Sequence, residues 1–295
     1  MARRLAPLAA LAICCGSPGP DRAVDGAPSA DDASLADGRG STEVAPYPLV
    51  LVHGAFGTDS YFGILDYFYR VRDTLRAAGF PTYTPATQPV GESEVRAVLL
   101  GASIDEILAD TGATKVHLIG HSQGGLDIRV LVSSLGFADR VASMTTIATP
   151  HHGLRVAIPE LFSGMDFSES YMTEEFASAY PDNVSIPRFS WAGKTCVAVD
   201  LACVLETGGE LVTPFFSVWH GLVRAAYADD LYGGANDGVV AISSAIWGDF
   251  LGILPADHYD EIGQVADNLE GPFRHLEFYL SEAHRLRQLE IQAGL

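Results

Sequence analysis

The chain has 295 residues, of which 48% are hydrophobic and 19% are charged. This composition can bury the core of one large α/β domain or two small ones, and it excludes a wholly disordered chain. Because 37 acidic residues outnumber 18 lysines and arginines, the formal net charge is -19, which repels nucleic-acid phosphates and anionic membrane surfaces. We therefore expect no nucleic-acid partner.

The first residues resemble an export signal. A basic start precedes a short apolar stretch, residues 5–13, that cannot span a bilayer as a permanent helix. Residues 1–15 are therefore predicted to be a signal peptide. Because Cys14 and Cys15 end this stretch, it also resembles a bacterial lipoprotein signal. Three alternatives stay open: a membrane tether through a lipidated N-terminal cysteine, secretion, and an uncleaved start.

Two further features concern the region after this signal. Residues 16–45 are rich in small and polar residues and are predicted to be a flexible linker, followed by one folded domain over residues 46–295.

Cys196 and Cys203 are an even pair in a compartment expected to be oxidising, which predicts a disulfide bond. Closing so small a loop stabilises a fold by about 2 to 3 kcal/mol.

The first half of the domain alternates strands and helices. Residues 49–52 predict a buried strand that runs into the glycine-rich turn 53–57, whose backbone N–H groups can face an open cleft. A helix over residues 61–78, a strand over 81–84 and a helix over 95–108 follow. This β-α-β-α-β order predicts an α/β fold with a mostly parallel sheet, helices on both faces and a site at the carboxyl ends of the strands.

Residues 115–132 predict a strand, a sharp turn and a helix, with Ser122 at the apex of a G-x-S-x-G sequence. The pattern alone is weak in a chain with 30 glycines, where an ordinary glycine-rich turn is the alternative. A strand before it and a helix after it favour a nucleophilic serine, whose strained backbone needs glycine neighbours.

The second half contains a strand over residues 140–148 and another around 190–193. His151 and His152 follow the first of these strands; adjacent residues on an extended segment point in opposite directions, so we expect loop residues and no shared metal. Residues 154–187 have exposed-looking apolar side chains and are a candidate lid. Those side chains include Met165 and Phe167. The apolar stretch 211–226 is either a buried helix or a cap over an acyl pocket.

Two later polar residues complete a candidate set with Ser122. Asp237 lies in a glycine-flanked turn, and His258 follows about twenty residues later. The order serine, aspartate, histidine is the one found in α/β hydrolases. Two other histidines, His275 and His284, fall in a C-terminal helix from about residue 272 and are expected at the surface.

Five blocks in order resemble the secreted bacterial true lipases, the family I triacylglycerol lipases, over residues 47–280. The blocks are LVHGAFG from Leu51, GHSQGG from Gly120, ATPHHG from Ala148, NDGVV from Asn236 and DHYDEI from Asp257. The resemblance implies an α/β-hydrolase fold with a lid or cap region.

Carried over position by position, the resemblance implies a role for each matching residue. Ser122 would be the nucleophile, His258 the general base and acid, and Asp237 the carboxylate that orients the histidine. The backbone N–H groups of Ala55 and Gln123 would form the oxyanion hole.

Family members also bind a structural calcium ion beside the catalytic histidine, and no cofactor is needed for the chemistry itself. Asp260 and Gln264 match that calcium motif, whereas Thr213 stands where the family has a second aspartate before a proline. The lid region is shorter than in the family, residues 196–235 look expanded, and the two cysteines do not reproduce the spacing of the family disulfide.

The expected function is carboxylic ester hydrolysis, with triacylglycerol at a lipid–water interface as the first candidate substrate. A dedicated lipase chaperone is a further partner that the resemblance raises. The alternatives are an esterase, an acyltransferase or a hydrolase of polyesters or amides that uses the same site, and an inactive binding module.

Overall fold

The computed structural model describes residues 45–57, 60–61, 65–155, 164–182, 185–194, 234–264 and 273–294. These residues belong to one compact unit that starts at Ala45. The predicted signal peptide, nearly all of the linker, the candidate disulfide Cys196–Cys203, Thr213 and the apolar stretch 211–226 lie outside the described residues.

A six-stranded sheet in the order β4-β1-β5-β6-β7-β8 forms the centre of this unit, and every pair of neighbouring strands is parallel. Its strands are β1 Leu49–Val52, β4 Thr82–Tyr83, β5 Val116–His121, β6 Val141–Ile147, β7 Arg188–Gly193 and β8 Asp249–Leu254. A separate antiparallel hairpin joins β2 Ser60–Tyr61 to β3 Leu65–Asp66. The predicted parallel α/β sheet is confirmed.

Helices cover both faces of the sheet. They are α1 Val71–Ala77, α2 Ser93–Thr111, α3 Gln123–Ser134, α4 Ala177–Ala179, α5 Ile242–Ala245 and α6 His275–Ala293. A π-helical stretch, Tyr171–Phe176, precedes α4, and 3-10 turns occur at Ala138–Arg140 and Asp260–Ile262. None of the helices in the described ranges has the length and apolarity needed to cross a bilayer.

The side chains of β1 show how the two faces are divided. Val50 and Val52 pack in the apolar cluster that contains residues of α2 and α3, whereas Leu49 and Leu51 pack in the cluster that contains residues of α1 and α6. This alternation follows from the two-residue period of a strand, and it explains why a strand buried on both faces is apolar throughout.

The order of the strands defines where a site can form. From β1 the chain crosses to β4 on one side and then to β5 on the other. A crevice opens at the carboxyl ends of two neighbouring strands where successive connections leave in opposite directions. Here these strands are β1, which ends at Val52, and β5, which ends at His121.

The prediction of a helix over residues 61–78 is wrong for residues 65–70, which include strand β3. The helix begins only at Val71, because Arg70 adopts a left-handed φ of 60° that interrupts any helix before it. The N–H of Tyr69 donates to the carbonyl of Ile262, and the Tyr69 carbonyl accepts a hydrogen bond from His275. These long-range contacts hold the segment before Arg70 outside helical geometry.

The described part of the candidate lid is packed on the core. Met165 and Phe167, expected to be exposed, are buried, and they share a cluster with Met172 and Phe176. The expectation of exposure is wrong at these positions because this segment covers helices α2 and α3 and does not stand free in solvent. Residues 156–163 of the candidate lid lie outside the described residues.

Candidate active site

Ser122 occupies the sharp turn between β5 and α3. Its φ of 54° and ψ of -129° are an uncommon conformation for a residue with a side chain. The strained turn is held by its surroundings: the Ser122 N–H donates to the Ile147 carbonyl at 2.9 Å, and the Thr149 hydroxyl donates to the Ser122 carbonyl at 2.8 Å. The predicted strand, turn and helix are all present around this serine.

The glycines beside Ser122 are required by close packing. A Cβ atom at Gly120 would lie 2.6 Å from the backbone nitrogen of Gly125, and one at Gly124 would overlap the carbonyl oxygen of Val52. A Cβ atom at Gly54, across the crevice, would lie 2.7 Å from that of Ser122. The repeated glycines therefore let the ends of β1 and β5 approach each other around the serine.

Three of the predicted site residues meet in a row of hydrogen bonds. Nε2 of His258 lies 3.0 Å from the Ser122 hydroxyl oxygen, and Nδ1 of His258 lies 2.8 Å from Oδ2 of Asp237. Asp237 is fully buried and the His258 side chain is 8% exposed. These are the distances at which a histidine can accept the serine proton while a carboxylate holds the ring in one orientation.

The loop around Asp237 fixes the direction of its carboxylate. Oδ1 accepts hydrogen bonds from the N–H groups of Val239 at 2.8 Å and Val240 at 2.6 Å, which leaves Oδ2 for His258. The backbone N–H of His258 also donates to the Asp237 carbonyl at 3.0 Å. Aspartate suits this turn because its short side chain can bind backbone N–H groups two and three residues ahead.

The two residues predicted for the oxyanion hole lie on opposite sides of the crevice. Gln123 is the first residue of α3, where backbone N–H groups have no acceptor in the preceding turn. Ala55 follows Gly54 in the turn after β1, which is closed by a hydrogen bond from the Gly57 N–H to the Gly54 carbonyl. Gly54 packs against Ser122, so its neighbour Ala55 lies close to the serine, and Gln123 follows the serine directly in the chain.

A buried polar network that no sequence motif predicts lies beside the ring of His258. The ring of His121 lies 4.5 Å from that of His258, centroid to centroid. Nδ1 of His121 is 2.8 Å from the Tyr67 hydroxyl, and Nε2 is 3.0 Å from a carboxylate oxygen of Glu261. Burial, with His258 adding repulsion, holds the pKa of His121 well below its usual value. Burial, with Asp237 adding repulsion, holds the pKa of Glu261 well above its usual value.

The two residues predicted to bind calcium are Asp260 and Gln264. The side-chain amide of Gln264 donates to the carbonyls of Asp66 and Tyr67 and so offers its nitrogen to protein acceptors. Within the described ranges, one group of three acidic or histidine side chains could hold a metal ion, and Asp260 is outside it. The calcium ion beside Asp260 therefore stays a prediction.

That group of three is His121, His258 and Glu261. Both ring nitrogens of His258 already face Asp237 and Ser122, and both of His121 face Tyr67 and Glu261. The group is therefore a hydrogen-bonded network and not a free set of metal ligands.

The remaining histidines have separate environments. His151 is buried and stacks on Trp247 with the ring centroids 4.6 Å apart, while its neighbour His152 is exposed. The two histidines thus lie in a turn after β6, where one ring is buried and the other is exposed. His284 is exposed as expected, but the prediction for His275 is wrong: it is buried, and its Nε2–H donates to the Tyr69 carbonyl at 3.0 Å.

Comparison with known proteins supports the fold described above. Residues 47–179 match the family described as having the alpha/beta hydrolase fold. The chain thus has the α/β-hydrolase fold. A triacylglycerol lipase of Pseudarthrobacter phenanthrenivorans is 42% identical over 114 residues, which are 38% of this chain and 35% of that protein. The match thus spans about a third of that relative.

Two further similar proteins cover more of this chain. A triacylglycerol lipase of Pseudomonas fragi is 25% identical over 82% of this chain and 96% of its own length. The crystal structure of Staphylococcus hyicus lipase superposes with a TM-score of 0.63 at 19% identity, over 85% of this chain and 99% of that one. The structural likeness supports the fold.

Proposed function

We propose that this α/β hydrolase cleaves carboxylic esters, and that its substrates are acylglycerols, as the names of its lipase relatives suggest. The observation that carries the proposal is the row of hydrogen bonds from Ser122 through His258 to Asp237. We also propose that the protein is exported, and that it is either secreted or anchored to the cell surface, because the sequence predicts an export signal.

The reaction proceeds in two halves. In the first, Oγ of Ser122 attacks the ester carbonyl carbon, its proton passes to Nε2 of His258, and the histidine then protonates the departing alcohol. In the second, His258 takes a proton from water, the resulting hydroxide attacks the acyl-enzyme, and the proton returns to Ser122. Asp237 keeps the proton on Nδ1 of His258, so that Nε2 stays the basic nitrogen.

The negative oxygen formed in each half needs hydrogen-bond donors. The N–H groups of Ala55 and Gln123 are the proposed donors, and the first turn of α3 adds the favourable end of a helix dipole. Loss of one such donor commonly lowers kcat by about a hundredfold or more.

Turnover of p-nitrophenyl esters tests the proposed chemistry. Ser122→Ala should lower kcat by about a millionfold, because it removes the nucleophile that His258 activates and leaves only the oxyanion donors. Ser134→Ala is the matched control. The Ser134 hydroxyl donates to the Val130 carbonyl at the far end of α3, so this variant should keep the wild-type kcat. Wild-type turnover in Ser122→Ala would overturn the proposal.

The substrate class needs a separate comparison. We expect higher activity on emulsified long-chain triacylglycerols than on soluble short-chain esters, as the names of the relatives suggest. A preference for soluble esters would contradict the acylglycerol proposal and leave ester hydrolysis intact. Thermal unfolding with and without a calcium chelator tests the proposed calcium ion. Removal of the ion should lower the melting temperature.

A further inference from the structure

An arginine that takes no direct part in the proposed chemistry lies under the crevice. Arg96, in the second turn of α2, is fully buried. Its Nη2 donates to the carbonyl of His53 at 2.6 Å and to that of Gly54 at 3.4 Å, and its Nη1 donates to the carbonyl of Gln88. The guanidinium group therefore binds the backbone of the turn that carries Ala55.

The carboxylate of Asp127 fixes this guanidinium group. Oδ2 of Asp127 accepts a hydrogen bond from Nε of Arg96 at 2.8 Å, and both side chains are fully buried. Burial raises the pKa of Asp127 to about 6, and Arg96 opposes that rise. Asp127 belongs to α3, the helix that begins with Gln123, so the ion pair links the two sides of the crevice.

The loop of residues 87–91, here called the bracing loop, binds the same two sides. On the β1 side, the Thr87 N–H donates to Nε2 of His53 at 3.0 Å, and the Pro89 carbonyl accepts from the Phe56 N–H at 2.6 Å. On the α3 side, the Gly91 carbonyl accepts from the side-chain amide of Gln123 at 2.8 Å. Arg96 binds the middle of this loop through Gln88.

The direction of the Ala55 N–H follows from these contacts. The Gly54 carbonyl accepts hydrogen bonds from Nδ1 of His53 at 2.9 Å, from the Gly57 N–H at 3.2 Å and from Arg96. In a planar trans peptide the C=O and the next N–H point in opposite directions. Because the carbonyl faces the buried Arg96 and His53, the Ala55 N–H faces the opposite, open side.

We propose that Arg96 is a positioning residue for oxyanion stabilisation, which sets the Ala55 turn and keeps its N–H aligned with that of Gln123. The proposal rests on the proposed ester hydrolysis. A guanidinium group suits this task because its planar fork of donors binds several carbonyls and a carboxylate at once, whereas a lysine offers a single charged nitrogen. Such preorganised donors act mainly on the transition state, so their loss affects kcat more than KM.

Arg96→Lys tests the proposal, with Arg140→Lys as the control because Arg140 forms a solvent-exposed ion pair with Asp105. On a p-nitrophenyl ester we expect kcat per titrated active site to fall about tenfold or more, while KM changes less than about threefold. Binding of a trifluoromethyl ketone, which forms a tetrahedral oxyanion with the serine, should weaken by a similar factor. Arg140→Lys should leave all three values unchanged.

The outcomes separate this proposal from the proposed function. Wild-type protein without esterase activity would overturn the proposed function, and the proposal for Arg96 with it. An active wild type together with an Arg96→Lys variant that keeps kcat and ketone affinity would overturn only the positioning role. If Arg96→Lys does not fold, Thr87→Val is the second variant. It removes the Thr87 hydroxyl, which lies 3.0 Å from Nε2 of His53 in the turn that Arg96 binds. We then expect kcat to fall about twofold or more at constant KM, and an unchanged kcat would contradict the positioning role.

Discussion

At the scale of single residues, the site depends on how the protein holds each polar group. The carboxylate of Asp237 is oriented by two backbone N–H groups on one oxygen, so its other oxygen faces His258 without freedom to turn. Ser122 is held in a strained conformation by the hydrogen bonds of its N–H and carbonyl groups. The Ser122 contacts do not involve its hydroxyl group, and an asparagine at position 237 could still accept the two backbone N–H groups through its side-chain oxygen.

Because asparagine can keep the backbone contacts of Asp237 but not its negative charge, Asp237→Asn tests the role of that charge. The amide has the same shape, but it can donate a hydrogen bond to Nδ1 of His258 and so favours the wrong tautomer. We expect kcat to fall by about three to four orders of magnitude. Val239→Ala, a change in the same loop, is the control and should keep kcat within about threefold. A kcat for Asp237→Asn near that of the wild type would contradict the role of Asp237.

At the scale of secondary-structure elements, helix α6 is attached to the site region through its first residue. His275 donates to the carbonyl of Tyr69, and its ring fills the space beside Gly263, where any Cβ atom would overlap it. Burial lowers the pKa of His275 below its usual value. The contact with Tyr69 ties α6 to the segment that precedes α1.

The lowered pKa of His275 predicts a pH dependence of stability. As pH falls below about 6.5, His275 becomes protonated in the unfolded chain, whereas in the folded protein it stays neutral to lower pH. The free energy of unfolding therefore decreases with acidification, by up to about 1.4 kcal/mol per pH unit from this one group. His275→Gln should reduce that slope in urea unfolding between about pH 6.5 and pH 5.

His284→Gln, on the same helix but exposed, should leave the slope unchanged. Equal slopes in the wild type and in His275→Gln would show that burial of His275 is not linked to proton uptake on unfolding.

The elements also show what a sequence can predict. Strands β1, β5 and β6 are uninterrupted runs of buried residues, so their existence and parallel pairing followed from composition and alternation. Strand β8 was not predicted, because it lies at the sheet edge, half of its residues are exposed, and it contains a glycine, Gly252. Neither the left-handed Arg70 nor the buried His275 could be foreseen, since contacts between distant parts of the chain determine both.

The same distinction applies to the site. Ser122, Asp237 and His258 stand in short motifs with local turn chemistry, and the structure brings together the three residues so predicted. Arg96 and Glu261 gave no such signal, because a charged residue on an amphipathic helix or in a polar turn is usually solvated. Their burial becomes evident only when the elements are assembled.

At the scale of the whole molecule, the described core and site are contained in the unit that starts at Ala45. The chain enters β1 through Tyr47, whose N–H donates to Glu290 near the end of α6 at 3.2 Å. Tyr47 also lies against His117 on β5, with the ring centroids 6.0 Å apart. This residue therefore joins the start of the unit to its sheet and to its last helix.

Two truncated forms test this boundary. A form that begins at residue 45 should keep the kcat and the melting temperature of the full chain on a soluble ester. A form that begins at residue 48 loses the Tyr47 contacts, and we expect its melting temperature to be lower by about 2 to 4 °C for about 1 kcal/mol lost. A large loss of kcat in the longer form would show that the first 44 residues contribute to the site.

The central claim is that Ser122 is the nucleophile and that His258 activates it. Reaction with a fluorophosphonate, followed by mass spectrometry of the digested protein, tests this claim most directly. We predict one phosphonyl group per chain, on the peptide that contains Ser122, with labelling slowed by a factor of about a thousand or more in His258→Ala. Labelling of a different residue, or an unchanged rate in His258→Ala, would contradict the account.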